Sequence, residues 1–412
     1  MNTNRSLPMY SLSPDDLRIL SDPDTTALVE EHLADDPAQL AFRLKCDREQ
    51  ARLVCQQVKY LGRAKSKLPS YYAARCVIPP LSYEQCSSEA AASMKTYSGK
   101  LCIDLTGGLG VDSFYFSQSF GQVITVEREP VLAEIARHNF RLLGAENILV
   151  ENTSAEHFLS AYSGPKADLI YIDPARRSEG ERVFLLEDCS PDVVGLMPLL
   201  LEKAGRVLIK LSPLFDIEEA LRVFAGHVSQ LEIVSVGGEV KELLVELTEK
   251  PESVKIMVCL SAGQRFSFLP EDISRPVVSL VDPAGCCFLL VADAAFYKGR
   301  LVQALLHRYE PEHTIALSSQ NGFAFSETIP AGFPGRIYRI VERIDYQPKH
   351  LKKRLKVEGL KRINILRRNF PYKTVEIKQA LNISEGGGTW FAFTELNGTA
   401  TVFRVEPVPV KK

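Results

Sequence analysis

An acid followed by glycines, at the end of an apolar run, is where residue types and spacing in this sequence first could do chemistry. Leu101-Cys102-Ile103 leads into Asp104-Leu105-Thr106-Gly107-Gly108-Leu109-Gly110, and an amphipathic segment begins near Ser113. That order reads as strand, tight turn, helix. The glycines let a backbone approach a ligand where a Cβ would clash. An acid beside the turn would repel a phosphate, so Asp104 suits a ligand with a cationic end.

Val123-Ile124-Thr125-Val126 reads as a second strand, ending in Glu127. An acid at that tip can accept hydrogen bonds from both hydroxyls of a ribose. Dinucleotide-binding proteins place an acid similarly. Their glycine fingerprint, however, needs a third Gly or Ala at 113, where this chain has Ser113. A helix is predicted from about Pro130 to Leu143, then a third strand at Ile148-Leu149-Val150. Asn152, Ser154 and Ala155 follow, where a polar side chain would meet the amino group of an adenine. The fourth strand, Leu169-Ile170-Tyr171-Ile172, ends in Asp173-Pro174-Ala175-Arg176-Arg177. Ligands of open α/β sheets bind beyond the carboxyl ends of the strands. Asp173, Pro174 and Arg176 therefore stand where a second substrate would be handled. Arg176 and Arg177 could clamp a phosphate or stack on a base.

In this order and spacing, the stretch from about Ser98 to Leu247 resembles a class I methyltransferase that uses S-adenosylmethionine (SAM). Asp104 to Gly110 resembles its motif I, Glu127 its ribose acid, and Asp173-Pro-Ala-Arg its motif IV. The resemblance implies an α/β, Rossmann-like core. It implies SAM binding by Asp104, Thr106, Gly107, Gly108, Gly110, Glu127, Ser154, Ala155 and Asp173, and catalysis by Asp173 with Pro174 and Arg176. Amino-methylating relatives carry Asp/Asn-Pro-Pro-aromatic; here Ala175 and Arg176 replace the second Pro and the aromatic. The Asp-Pro-x-Arg form is closer to that of some base-methylating RNA enzymes. The uridine-C5 type needs a cysteine after strand five, and Lys210-Leu211-Ser212-Pro213 holds none. A ring or amino nitrogen is therefore the preferred acceptor. Two alternatives stay open. Ribose 2′-O-methyltransferases use a Lys-Asp-Lys-Glu set, and Lys100, Asp173, Lys210 and Glu239 fall in that order. A lysine of lowered pKa could then deprotonate the hydroxyl. The acceptor could also be a protein or a small molecule.

Ahead of this core, residues 1–95 read as helical. Ser13-Pro14-Asp15-Asp16 is a helix start, and Leu40, Leu44, Ala51, Val54, Val58 and Leu61 recur near helical spacing. Arg63, Lys65 and Lys67 cluster on a short segment before Pro69. Tyr71, Tyr72 and Tyr83 lie in a stretch that reads as loop, and Ser87 or Ser88 is a candidate N-cap. Behind the core, Val277 to Pro283 reads as strand and turn, and Ala294 to Leu306 as one helix. The expected domains are 1–95, 96–250, 276–330 and 331–412.

The charge is unevenly spread. The chain has 412 residues and a net charge of −2. Residues 336–373 nevertheless carry 13 Lys or Arg against three acids. Such a segment favours a phosphate-binding face. Leu351-Lys-Lys-Arg-Leu355, Arg367-Arg-Asn-Phe-Pro371 and Glu385-Gly-Gly-Gly388 resemble the THUMP-like domain of a bacterial methyltransferase family. In that family a small ferredoxin-like unit precedes it, so an α+β C-terminal module is expected. The resemblance implies RNA, of the tRNA or rRNA kind, held by Lys352, Lys353, Arg354, Lys356, Lys361, Arg362, Arg367, Arg368 and Lys373. Phe370 and Tyr372 are candidate base-stacking partners. No cysteine spacing suits a metal, and nine scattered cysteines fit a reducing cytoplasm. No apolar leader precedes Arg5, Asp15, Asp16 and Asp22, and no run is long enough to span a membrane.

Overall fold

The computed structural model describes residues 12–176, 186, 189–261, 263–274, 283, 285–309, 315–319 and 322–409. Two compact units result. The first holds the chain through Val236 with Lys241–Val254; the second holds Gly237–Val240 and everything from Lys255 on.

Among the described residues, seven helices open the first unit: α1 (Pro14–Leu20), α2 (Pro23–Glu31), α3 (Pro37–Leu40), α4 (Arg48–Lys67), α5 (Pro69–Ala73), α6 (Pro80–Gln85) and α7 (Glu89–Ala92). Their starts are written in the sequence. Ser13, Asp22 and Asp36 each cap a helix whose next residue is proline, and Asp47 and Ser88 cap α4 and α7. A short side-chain oxygen takes up an orphan N–H, and proline has none to lose. Tyr71 and Tyr72 lie in α5 and Tyr83 in α6, not in a loop. Arg63, Lys65 and Lys67 belong to the last turns of α4.

Alternating strands and helices follow: β1 (Gly99–Asp104), α8 (Val111–Ser117), β2 (Phe120–Val126), α9 (Pro130–Leu142), β3 (Ile148–Glu151), α10 (Ala155–Ala161) and β4 (Leu169–Ile172). Next come the two-residue strands β5 (Ala175–Arg176) and β6 (Cys189–Ser190), then α11 (Val193–Lys203), β7 (Val207–Leu211), α12 (Ile217–Val223), β8 (Val228–Val236) and β9 (Glu239–Leu247). Arg177 and most of Val277–Pro283 lie outside the described residues.

Within this unit the sheet order is β8-β9-β7-β4-β1-β2-β3. Strands β7, β4, β1, β2 and β3 run parallel, and β9 is antiparallel to β7. Chain order reverses beside β1, which opens a crevice at the carboxyl ends of β1 and β4. Asp104 and Asp173 stand at those two ends. The helical segment is not a separate core. Leu53, Val54, Leu68 and Tyr71 share one apolar cluster with Leu109 of the glycine turn, Val111 of α8 and Ile135 of α9. A short run of amphipathic helices buries its apolar faces best on a neighbour, so packing does not break at the boundary expected near 95.

The second unit begins with an antiparallel hairpin, β10 (Lys255–Leu260) and β11 (Arg265–Phe268). It continues with β12 (Phe288–Ala292), α13 (Ala294–Lys298), α14 (Val302–Leu306), β13 (Ile315–Leu317), β14 (Ala324–Ser326), β15 (Gly335–Asp345), α15 (Pro348–Val357), β16 (Arg362–Arg367), α16 (Thr374–Leu381), β17 (Ser384–Leu396) and β18 (Thr399–Pro407). A seven-stranded sheet runs β13-β14-β12-β15-β18-β17-β16. Pairing of β12 with β15 joins residues of the expected 276–330 and 331–412 domains in that sheet. The single helix expected over 294–306 is two, because Arg300 takes a left-handed φ of 54° after Gly299.

Candidate functional site

Asp104 closes β1 and turns inward. It is 1 % exposed. The Thr106 N–H donates to its Oδ1 at 3.0 Å, and Ser113 Oγ donates to its Oδ2 at 2.5 Å. Ser113 also bonds Thr125 Oγ1 at 2.9 Å. The residue standing where a dinucleotide fingerprint needs Gly or Ala thus ties three elements together. Asp104, expected to meet a cationic group of a ligand, also braces the turn. Burial pushes its carboxyl up to about 7, against the pull of Ser113 and Thr106.

That shift sets a pH dependence. The folded chain keeps this proton to about pH 7, while the unfolded chain releases it near 3.8. The native state therefore binds more protons in that window, and stability falls as pH rises through it. Asp104→Asn keeps an acceptor for Thr106 and can donate to Ser113 Oγ. The variant is expected to lose that decline and to outlast the parent in thermal melts at pH 8. An unchanged profile between pH 4 and 7 would assign the dependence elsewhere.

The three glycines of the turn divide into two roles. A Cβ on Gly107 would sit 2.5 Å from Thr125 Oγ1, and one on Gly110 would sit 2.4 Å from the Phe140 ring. Packing against the protein by itself requires glycine at both positions. Gly108 has φ 55° and only the Thr106 carbonyl, at 3.9 Å, near its Cβ direction. Gly108 is the residue of the turn whose Cβ direction faces open space. Tyr71 of α5 donates to the Leu109 carbonyl at 3.2 Å, so the helical segment holds the turn from behind.

Glu127, at the tip of β2, bonds the Gly108 N–H at 2.9 Å through Oε2 and the Glu129 N–H at 2.8 Å through Oε1. Each carboxylate oxygen keeps a lone pair for a hydroxyl. Asn152 bridges the ends of β3 and β2 by donating to the Glu127 carbonyl at 2.8 Å. Ser154 spends its hydroxyl on capping α10, and Ala155 is buried behind it.

Across the crevice, the Asp173 N–H donates to Thr106 Oγ1 at 2.7 Å, which joins the glycine turn to the end of β4. Asp173 Oδ2 lies 2.5 Å from Lys210 Nζ on β7. Pro174 is half-buried beside it. Arg176 pairs its backbone with Cys189 in the β5–β6 ladder. Lys210 also donates to Ser87 Oγ at 3.1 Å, and Ser87 donates to Asp112 Oδ2 at 2.8 Å. Tyr171 donates to the same Asp112 oxygen at 3.0 Å. Lys95 closes the set, 2.9 Å from Asp112 and 2.5 Å from Glu242. Burial alone would lower both lysines, but the facing carboxylates outweigh it and raise them. Of the two deepest acids, burial pushes Glu242 up. Asp112 stays low because Lys95, Lys210 and Ser87 offset its own burial.

This cluster corrects the expected Lys-Asp-Lys-Glu set. Lys100 is exposed at the start of β1, opposite the Asp104 end, and Glu239 opens β9 at its exposed turn. Neither joins Asp173 and Lys210; Lys95 and Glu242 do. Asp112, an acid in the first turn of α8, is buried at the centre. Ser88 caps α7, which frees Ser87 for Lys210. A signal for Glu242 was present: it adjoins Leu243 to Leu247, and an acid buried in such a strand needs a partner.

In the second unit, Leu351 and Leu355 pack inward with Ile363, Phe370, Ile377 and Phe393. Phe370, expected to stack on bases, is 6 % exposed and edge-on to Tyr346 and Phe393. Tyr372 remains exposed. Arg354 is committed to Glu342, with contacts of 2.7 and 2.6 Å, and to Glu358 at 2.8 Å. Arg368 is half-buried and stacks on Tyr297 at 3.4 Å. Arg354 thus spends its guanidinium on two carboxylates, while Arg368 turns one face to Tyr297. Arg362 lies along the Glu385 carbonyl, and Arg367 donates to the Phe370 carbonyl at 3.2 Å. Lys352, Lys353, Lys356, Lys361 and Lys373 are exposed. Three of them, Lys352, Lys356 and Lys361, line a cavity of about 770 Å³ between α15 and α16, together with Lys378, over a floor that includes Leu355, Leu360 and Ile383.

Among the described residues no group of His, Cys, Asp or Glu is placed to hold a metal, and no helix is long and apolar enough to cross a membrane. The THUMP domain-like family matches residues 335–407. An uncharacterized S-adenosylmethionine-dependent methyltransferase of Mycobacterium tuberculosis is 26 % identical over 260 residues, which span 62 % of this chain and 66 % of that relative. The crystal structure of a protein described as a methyltransferase, from Porphyromonas gingivalis W83, is 28 % identical. It superposes with a TM-score of 0.81 and covers 95 % of this chain and 99 % of its own.

Proposed function

We propose that this chain, a class I SAM-dependent methyltransferase with a THUMP-like C-terminal domain, methylates a base nitrogen in structured RNA of the tRNA or rRNA kind. The observation that carries the acceptor assignment is the pair of Asp173 and Lys210, 2.5 Å apart at the end of β4. It lies across Thr106 from the open face of Gly108. SAM, when bound, supplies an electrophilic methyl group. The Gly108 backbone gives it close approach, and Glu127 offers lone pairs to its ribose. Ser154 and Ala155 would border its adenine.

The chain's own part in the reaction is mostly positioning. Lys210 faces Asp173, Asp112 and Glu242, which hold its proton, so it is a donor and not a base. It fixes Asp173 through Oδ2 and leaves Oδ1 to accept a hydrogen from the acceptor. A nitrogen offers a lone pair for attack and needs at most a weak base; a ribose hydroxyl needs a strong one. That asymmetry favours nitrogen. Lys210 pairs with Asp173 and Lys95 with Glu242 and Asp112, and two lysines and an Asp–Glu pair in one cluster favour a second reading, transfer to a ribose 2′-hydroxyl. Comparing nucleosides of RNA from cells with and without the gene separates them. Loss of an N-methyl base supports the first, loss of a 2′-O-methyl nucleoside the second, and no change in RNA overturns both.

RNA would be held on the tail through Lys352, Lys353, Lys356, Lys361, Arg362, Arg367 and Lys373. The lysine-lined cavity between α15 and α16 is the preferred seat. Each phosphate contact contributes roughly 0.7 to 0.9 to the slope of log affinity against log salt. Replacing Lys352, Lys356 and Lys361 with Ala should flatten that slope by about two to three units. Affinity for S-adenosylhomocysteine should not change. A slope that stays put would make these lysines a merely solvated face. The nine cysteines follow no disulfide-framework spacing, which suits the cytoplasm, where SAM and these RNAs meet.

A further inference from the structure

The RNA reading leaves one basic surface unused. Residues 59–67, the last two turns of α4, carry Lys59, Arg63, Lys65 and Lys67 and no acid. Lys59, Arg63 and Lys65 are exposed. Two tyrosines are laid among them. The Arg63 guanidinium sits 4.8 Å from the Tyr83 ring and 5.4 Å from the Tyr60 ring. Lys59 and Lys67 lie over Tyr60 and Tyr83 at 5.6 and 4.7 Å. One acid, Glu84, touches this face, through Arg63. Aromatic faces hold the cations in place at little entropic cost, which suits recognition of a phosphate chain.

The face is wired to the acceptor crevice. Lys67 donates to the Tyr83 carbonyl, Cys86 Sγ contacts the same carbonyl at 3.4 Å, and the next residue, Ser87, receives Lys210. Ser87 is four positions beyond Tyr83, a span of at most about 14 Å of chain. Phosphates along one nucleic-acid strand lie about 3.4 Å apart per axial step. Arg63 and Lys67, which lie on the Tyr83 ring, therefore stand within a few nucleotides of the reacting one.

We propose that this face of α4 is a second RNA-contact surface, which grips the backbone flanking the target nucleotide. The proposal rests on the RNA reading above and adds to it a surface in the catalytic unit. The tail would hold the body of the RNA, and α4 its reactive strand.

The test uses the full chain and labelled bulk tRNA from cells lacking the gene. Lys59 and Lys65 are exchanged for Gln, because neither packs in the core. S-adenosylhomocysteine binding, measured in parallel, reports that the site is intact. The expected result is a salt slope flatter by about 1.4 to 1.8 units than the parent's, with cofactor affinity unchanged. A parent slope that flattens with the tail lysines but not with Lys59→Gln/Lys65→Gln overturns the α4 surface and leaves the RNA reading standing. A parent that binds tRNA without salt dependence overturns the RNA reading and this surface with it.

Discussion

Asp173→Ala is expected to lower turnover by about a hundredfold or more, the usual contribution of a positioned acid or base. Affinity for S-adenosylhomocysteine should stay within about tenfold, or about 1.4 kcal/mol. The separation follows from what Asp173 touches. Its backbone N–H bond to Thr106 survives in alanine, so the glycine turn keeps its anchor. Lys210 keeps Ser87, and Asp112 and Glu242 still oppose its charge. What disappears is a carboxylate 35 % exposed to the crevice. Asp173→Asn refines the result. It preserves a hydrogen-bond acceptor but takes no proton, so equal losses in both variants identify proton acceptance as the role. Retained turnover in Asp173→Ala would remove Asp173 from the chemistry.

Lys95→Met should be the most destabilising single change in the catalytic unit. Lys95 and Glu242 have side chains 1 % and 2 % exposed. Deleting the lysine leaves two buried acids, Asp112 and Glu242, sharing the one remaining cation, Lys210. Breaking a buried pair from one side costs about 3–5 kcal/mol. For a unit of this size that lowers its melting temperature by roughly 6–20 °C. The double variant Lys95→Met/Glu242→Leu removes the orphaned acid and should recover most of the loss, because Asp112 retains Ser87, Tyr171 and Lys210. Calorimetry of parent, single and double variants checks both steps. A double variant no more stable than the single would mean that Lys95 acts through packing and not through charge.

The strands of the core were legible because parallel strands covered on both faces must be apolar runs. Leu169–Ile172 and Val123–Val126 stand out for that reason, and the acids that end them mark the crevice. Helix starts were legible where a short polar side chain precedes a proline. The deep cluster was not. Lys95, Asp112, Lys210 and Glu242 come from a connecting segment and three elements, α8, β7 and β9, and only the fold shows that they meet. Lys100 and Glu239 satisfied the order of a known set, but order does not state which side of a strand end a residue occupies. Asp104 shows the same limit at closer range. Its position beside the glycines was plain, yet its direction depended on Ser113, a residue noticed only for what it was not. In the tail, charge density was visible and its disposition was not. Arg354 and Arg368 count as cations in the sequence, but the fold spends them on Glu342, Glu358 and Tyr297.

Methyl transfer from isotopically labelled SAM, by the purified full chain into RNA from cells lacking the gene, tests the central claim most directly. The account predicts label in RNA, recovered after digestion on a nitrogen-methylated nucleoside, and its loss with Asp173→Ala. Label appearing only in protein or small molecules, or undiminished in RNA with Asp173→Ala, would contradict it.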